Sequence, residues 1–142
     1  KVLDFINVVI VAATQYPGTI VVESNSYGNQ VIENLNISEL SLMLYKERRG
    51  KDAWATGLSN NAKTRPLMID ALYSYMTQYP ECVRSERLAL ELTGLVSKTS
   101  GKVEADSGCH DDLAMATMIA VAVRKVSGGA RGYQGASAGW NW

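Results

Sequence analysis

The short run TIVVE, residues 19–23, constrains the fold more than any other stretch of the sequence. Its β-branched residues follow one another without polar alternation, which predicts a strand buried on both faces, as in a parallel sheet. The chain then passes directly into SNSYGNQVIENL, where Val31, Ile32 and Leu35 share one face of a predicted helix. A buried strand followed at once by a helix is a βα unit, so we predict an α/β fold.

The rest of the chain alternates between helix and strand patterns. Residues 2–16 place apolar side chains at helical spacing, including Leu3, Ile6 and Ala13, and Pro17 ends that helix. Further helices are predicted at residues 62–79, at residues 85–96 and in a last segment that opens at residues 110–112. Further strands are predicted at residues 40–45 and 82–84, a strand or a hairpin at residues 101–105, and an exposed polar loop at residues 46–61.

Composition excludes several classes of protein. With 142 residues, of which 46% are hydrophobic, the chain has the size and apolar content of one ordinary domain. No apolar run approaches the roughly 20 residues that cross a bilayer, and no signal-peptide pattern is present, so we expect a soluble intracellular protein. The formal net charge of zero means that DNA binding would depend on local basic clusters. Residues 127–142 are rich in Gly and Ser, which predicts a flexible tail.

Three carboxylates occupy positions of interest in the predicted fold. Strand ends in a parallel α/β sheet open onto the crevice where ligands bind, so we expect Glu23, at the end of TIVVE, to face that crevice. Asp111 and Asp112 open the last helix, where the helix N-terminus favours negative charge. The alternatives are that the aspartate pair caps this helix and that Glu23 is an ordinary exposed residue at a strand end.

Three motifs appear in a characteristic order along the chain. Glu23 is followed by Asn25 and Gly28, a turn with Ser and Lys then leads into the middle helix, and Gly-x-His-Asp-Asp-Leu at residues 108–113 opens the last helix. Together they resemble the nuclease domain of the large terminase subunits of tailed bacteriophages, over roughly residues 1–126. The resemblance implies an RNase H-like three-layer fold for that region.

The same resemblance implies an activity and a set of partners. Members of this family are metal-dependent endonucleases that cut concatemeric viral DNA during genome packaging, in the host cytoplasm. The implied cofactors are Mg²⁺ or Mn²⁺ ions, two of them about 4 Å apart, which activate water and stabilise the leaving oxygen. The implied partners are double-stranded DNA, the portal protein and the small terminase subunit.

Residue roles follow from the resemblance for the carboxylates. Glu23, Asp111 and Asp112 become the catalytic residues, with Glu23 and Asp111 as direct metal ligands. Because successive residues of a helix point roughly 100° apart, the two aspartates cannot face the metals equally. We favour Asp111 as the ligand, by analogy with the arrangement in Holliday-junction resolvases, and Asp112 then acts as a cap or as an outer-sphere acid.

Several other polar residues each have a possible functional role and a structural alternative. His110 orients a water or a phosphate, or is structural. Asn25 caps the second helix, or lends its amide to the outer sphere of the metal. The basic residues that we expect to contact DNA phosphates, with an ordinary solvated surface as the alternative, are Lys63, Arg65, Arg48 and Arg49. Gly28 lets the second helix begin close to the preceding strand.

One departure from the family affects both chemistry and assembly. The family carries a further catalytic Asp on an early central strand, preceded by an ATPase domain. Asp4 cannot replace that residue, because it lies in a helical pattern. We therefore expect an RNase H-like fold that lacks its N-terminal strands, with weak metal binding and little cleavage by the chain alone. Exposed strand edges would then favour a homo-oligomer.

Two other functions remain open at the level of sequence. A different RNase H-like nuclease, such as a junction resolvase, shares the carboxylate pattern but cuts DNA of another shape. A non-catalytic module that binds a portal protein or DNA would use the acids only as helix caps.

Overall fold

A computed structural model of the chain describes residues 1–97, 103–106 and 110–126. Within these residues the chain forms five α-helices, two short 3-10 helices and two small antiparallel sheets of two strands each. This mixture of helix and sheet is compatible with the predicted α/β class. The backbone divides into two compact units, of which the first contains residues 1–60 and the second residues 61–125. The tail predicted at residues 127–142 lies outside the described residues.

The first unit is built on two helices, α1 (Val2–Gln15) and α2 (Ser26–Asn36). Both helices match the sequence prediction, because their apolar residues recur at helical spacing. Their inner faces pack into one apolar cluster whose buried members are Ile6, Ala13, Val31, Leu35, Leu40 and Leu44. Leu3, which the predicted stripe placed on the buried face, is instead 66% exposed.

The run at residues 19–23 is extended but does not form a regular strand. It makes isolated parallel bridges, from Ile20 to Leu44 and from Glu23 to Leu58. The N–H of Ile20 donates to the carbonyl of Met43 at 2.8 Å. The run is half-buried, so the prediction of a strand buried on both faces is wrong, although the parallel direction is found. The ladder is short because the run pairs at single points with two different segments.

Residues 40–45, predicted as a strand, contain a 3-10 helix at Glu39–Met43 instead. Ser38 starts it, because its hydroxyl oxygen accepts a hydrogen bond from the N–H of Leu40 at 3.2 Å. A serine hydroxyl that bonds to the backbone two residues later stabilises a turn against an extended chain. This local hydrogen bond overrides the β-propensity of the apolar run.

The predicted loop at residues 46–61 contains a hairpin, so that prediction is also wrong. Strand β1 (Lys46–Arg48) pairs antiparallel with β2 (Trp54–Thr56), and Glu47 lies opposite Ala55. The turn between them uses Gly50 at a φ of +96°, a backbone conformation that glycine adopts without steric cost. Three-residue strands carry too few positions for an alternating pattern to be visible in the sequence.

The second unit contains α3 (Thr64–Gln78), α4 (Glu86–Thr93) and nearly all of α5 (Asp112–Val126). Pro66 is tolerated in α3 because it lies in the first turn, where its missing N–H has no helical partner. The helix predicted at residues 85–96 ends early, at Thr93. Residues 82–84 do not form the predicted strand, because the chain enters a 3-10 helix at Pro80–Cys82.

A second hairpin follows α4. Strand β3 (Leu95–Ser97) pairs antiparallel with β4 (Val103–Ala105). This pair is the hairpin that was one of the two predictions for residues 101–105. Helices α3 and α5 contact each other, since the guanidinium of Arg124 lies 5.0 Å from the ring centre of Tyr75. No helix within the described residues combines the length and the apolar character that a membrane crossing requires.

Candidate functional site

Glu23 ends the extended run of the first unit and is half-buried there. Its Oε1 accepts a hydrogen bond from the side-chain amide of Asn60 at 3.0 Å. Among the described residues no hydrogen bond reaches its second oxygen, Oε2. The sequence analysis did not identify Asn60, because a partner 37 positions away leaves no local pattern.

The turn after Glu23 places the start of α2 directly against it. The side-chain oxygen of Asn25 accepts from the N–H of Gly28 at 2.7 Å, which confirms the capping reading of Asn25. A Cβ atom at Gly28 would lie 1.8 Å from the carbonyl oxygen of Glu23. The predicted steric role of Gly28 is therefore confirmed, and this glycine fixes the backbone that carries the Glu23 carboxylate.

A buried carboxylate, Glu47, lies in the same unit and is only 3% exposed. One of its oxygens, Oε2, accepts from the hydroxyl of Ser59 at 2.8 Å and from Nε of Arg49 at 3.3 Å. Nη2 of Arg49 in turn donates to the hydroxyl oxygens of Ser59 and Ser24, at 2.6 and 3.1 Å. We call these four residues, Ser24, Glu47, Arg49 and Ser59, the Glu47 network. The sequence KERR resembled a solvated basic loop, so Glu47 was missed.

Two of the three arginines predicted to contact DNA, Arg48 and Arg49, have partners within the first hairpin or beside it. Arg48 donates to the carbonyl oxygens of Gly50 and Lys51, at 3.0 and 2.7 Å, and so braces the turn of the first hairpin. Arg49 belongs to the Glu47 network. Each guanidinium therefore has a structural role that the sequence did not reveal.

In the second unit, Asp111 precedes α5 and faces the first turn of α3. Its Oδ2 lies 3.5 Å from Nη2 of Arg65, whose side chain is only 16% exposed. Arg65 is therefore not on a solvated helix face, and its buried Nε has no hydrogen-bond partner in the part of the chain that the structure describes. Lys63 is exposed, and its backbone N–H donates to the side-chain oxygen of Asn61 at 2.9 Å.

The N-terminus of α5 is capped by a residue that the sequence analysis missed. Oε2 of Glu91, from α4, accepts from the N–H groups of Leu113 and Ala114 at 2.7 and 3.0 Å. The cap expected from Asp111 and Asp112 is thus supplied by a different carboxylate. Within the described residues, the exposed side chain of Asp112 makes no hydrogen bond or ion pair.

Glu91 is ionised in spite of its burial. Burial raises the pKa of this carboxyl, but the N–H groups of Ala114 and Leu113 outweigh that effect. Arg87 adds to them, with its Nε 3.1 Å from Oε1 of Glu91. The net result is a pKa below the ordinary glutamate value, which keeps a negative charge at the start of α5.

Carboxylate oxygens are the ligands that Mg²⁺ and Mn²⁺ prefer, so Glu23, Asp111 and Asp112 have the chemistry to hold either ion. Glu23 keeps one oxygen available, and neither aspartate side chain is occupied in capping α5. Within each unit, the described residues bring no three His, Cys, Asp or Glu side chains together. His110 is exposed, and Gly108 of the same motif lies outside the described residues.

Comparison with known proteins adds no family to these observations. No protein-family model, no curated protein and no solved structure matches the chain. Function must therefore be argued from the residues and their contacts.

Proposed function

We propose that this chain is the nuclease part of a viral DNA-packaging terminase, with an RNase H-like fold, and that it hydrolyses double-stranded DNA with Mg²⁺ or Mn²⁺. Glu23 and Asp111 are the metal ligands, and Asp112 acts beside them. One observation carries the proposal: Glu91 caps α5, so the two aspartates that precede and open this helix are not needed for its N–H groups.

The capping alternative loses its main support because of that observation. An Asp at a helix start is most often retained because its oxygen bonds the N–H two or three positions later. Those two N–H groups, of Leu113 and Ala114, are bonded to Glu91.

The surroundings of Glu23 and Asp111 suit ligands that must be held in one orientation. Asn60 fixes one oxygen of Glu23, and Arg65 lies beside one oxygen of Asp111. Partners of this kind set the direction in which the remaining lone pairs point. The Arg65 guanidinium also competes with a metal for Asp111, so we expect it to shift towards other partners when an ion binds.

When bound, the divalent ion supplies charge that polarises the phosphodiester and lowers the pKa of a water molecule. The chain itself contributes orientation and charge. Asp112, exposed next to Asp111, can accept the proton that the attacking water molecule loses. Lys63, exposed at the start of α3, can neutralise a DNA phosphate.

Metal binding tests this proposal directly. We expect Glu23→Gln and Asp111→Asn each to weaken Mn²⁺ binding about tenfold or more, because each removes the charge of a direct ligand. Asp112→Asn should weaken binding less than either of these variants, since Asp112 is not a direct ligand. The measurement is the electron paramagnetic resonance signal of free Mn²⁺ during titration of the chain.

Asp70→Asn is the matched control, because Asp70 is an exposed carboxylate on α3 that is not one of the proposed site residues. Its Mn²⁺ affinity should equal that of the unmodified chain. If the unmodified chain does not retain Mn²⁺ better than the Glu23→Gln, Asp111→Asn double variant, the nuclease proposal fails. If only Asp112→Asn weakens binding, the ligand is Asp112 and our assignment is reversed.

A further inference from the structure

Resting on the nuclease function proposed above, we propose that Arg49 is a positioning residue. It holds the Glu23 carboxylate in place through Ser24 and Ser59, and it is not primarily a contact for DNA phosphates. The two roles make different demands on the guanidinium, because one needs fixed bonds within the protein and the other needs donors that face solvent.

The Arg49 guanidinium bridges two segments of the chain. Its Nη2 lies between two serine hydroxyls, 3.1 Å from that of Ser24 and 2.6 Å from that of Ser59. Ser24 directly follows Glu23, and Ser59 directly precedes Asn60. Arg49 therefore joins the same two chain segments that are also joined by the hydrogen bond from Asn60 to Glu23, one residue away on each segment.

Backbone hydrogen bonds alone hold the segments that carry Ser24 and Ser59 together weakly. The N–H of Ser24 donates to the carbonyl oxygen of Leu58 at 2.9 Å, and the N–H of Leu58 donates to the carbonyl oxygen of Val22 at 2.8 Å. The pairing stops there, since Glu23 and Leu58 form an isolated bridge and not part of a longer ladder. Beyond this bridge the chain turns into α2, so side-chain hydrogen bonds must keep Glu23 and Asn60 in register.

Glu47 fixes the orientation of the Arg49 guanidinium. The Glu47 carboxylate is buried and accepts from both Ser59 and the Nε of Arg49. A buried charge is stable only when it is paired and hydrogen-bonded, so Glu47 requires a cation on this side. The Arg49 side chain is 48% exposed, but that of Glu47 is only 4% exposed. Removing Arg49 would therefore leave a buried carboxylate without its cation and disturb the Glu47 network.

The consequence concerns the oxygens of Glu23. With Asn60 held against Oε1, the lone pairs of Oε2 point in one direction and remain available to a cation. Without Arg49, the two segments can move apart and the Glu23 carboxylate can rotate among several conformations. A ligand that must first be ordered binds its metal more weakly, because the ordering costs entropy.

The test uses the full chain and the side-chain amide signal of Asn60 in nitrogen-edited NMR spectra. We expect Arg49→Ala to shift this signal towards that of a solvent-exposed asparagine and to weaken Mn²⁺ binding about tenfold, the usual effect of losing an outer-sphere partner. Arg49→Lys should restore neither fully, because an ammonium group cannot reproduce the planar guanidinium fork that bridges two hydroxyls and a carboxylate. Ser24→Ala should shift the signal in the same direction by a smaller amount, and it serves as the test if Arg49→Ala fails to fold.

Lys51→Ala is the matched control, since it removes the same charge from the same hairpin and its side chain has no bond to the described residues. It should leave both the Asn60 signal and the Mn²⁺ affinity unchanged. The inference is overturned if Arg49→Ala also leaves both unchanged and instead weakens binding to a DNA duplex with a shallower salt dependence, because that is the mark of a phosphate contact. If the unmodified chain does not bind Mn²⁺ but the Asn60 signal still moves in Arg49→Ala, the positioning role stands and only the proposed nuclease function fails.

Discussion

Replacing Gly28 by alanine should lower the free energy of unfolding by about 3 kcal/mol, the sum of a severe steric overlap and a damaged helix cap. The added methyl carbon would lie 1.8 Å from the carbonyl oxygen of Glu23 and 3.0 Å from its carbonyl carbon. These are backbone atoms, so no side-chain rotation can relieve the contact. Moving Gly28 away would stretch its 2.7 Å hydrogen bond to Asn25 and loosen the start of α2. Urea unfolding followed by circular dichroism measures the loss.

Gly18→Ala is the control for the intrinsic effect of replacing glycine. The nearest atom to a Cβ at Gly18 is the carbonyl oxygen of Tyr16, at 4.0 Å, which is an ordinary contact. We expect its stability to stay within about 1 kcal/mol of the unmodified chain, with a small gain because alanine restricts the unfolded state. Equal stabilities for the two variants would mean that α2 does not begin against Glu23.

The helices could be predicted from the sequence because their signals are local and repeated. Helices α1 and α2 show apolar residues at helical spacing, and α2 also carries its cap, Asn25, in the preceding position. The start of α5 was predicted for the same reason. Where apolar residues recurred at helical spacing over ten or more residues, a helix formed.

The short strands and 3-10 helices could not be predicted, because their geometry depends on partners that are distant in sequence. Glu39–Met43 has the apolar content of a strand, but the Ser38 hydroxyl and the parallel bridge at Leu44 hold it as a 3-10 turn. Strand β1 carries only three residues, of which the middle one is the buried Glu47. A strand is predicted from apolar residues that face inward and polar residues that face outward, and the inward-facing Glu47 reverses this pattern.

For the candidate site, the sequence identified the carboxylates but not the residues that hold them. Glu23, Asp111 and Asp112 follow recognisable local motifs. Their partners do not, since Asn60 lies 37 positions from Glu23 and Glu91 lies 22 positions from Leu113, whose N–H it binds. The tertiary fold decides such pairs, and a single sequence carries no local mark of them.

Removing the Glu91 carboxylate should destabilise α5 more than the loss of any exposed acid on α4. In Glu91→Ala the N–H groups of Leu113 and Ala114 lose their acceptor, and Arg87 loses its ion-pair partner. Unsatisfied N–H groups at a helix start fray the first turn, so amide hydrogen exchange of these two residues should accelerate about tenfold or more. Glu86→Ala is the matched control, since Glu86 is an exposed acid in the first turn of α4, and it should leave both exchange rates unchanged.

The acid sensitivity of this cap has a definite sign. The N–H groups of Ala114 and Leu113, together with Arg87, hold the pKa of Glu91 below its usual value of 4.5 although burial opposes them. The ionised carboxylate therefore stabilises the fold fully above pH 4.5, and this contribution is lost as the pH falls through the lower pKa of the folded state. Glu91→Gln cannot ionise, so the stability difference between the unmodified chain and this variant should stay constant near neutral pH and shrink in acid. A difference that persists unchanged at the lowest pH would show that the negative charge of Glu91 has no part in capping α5.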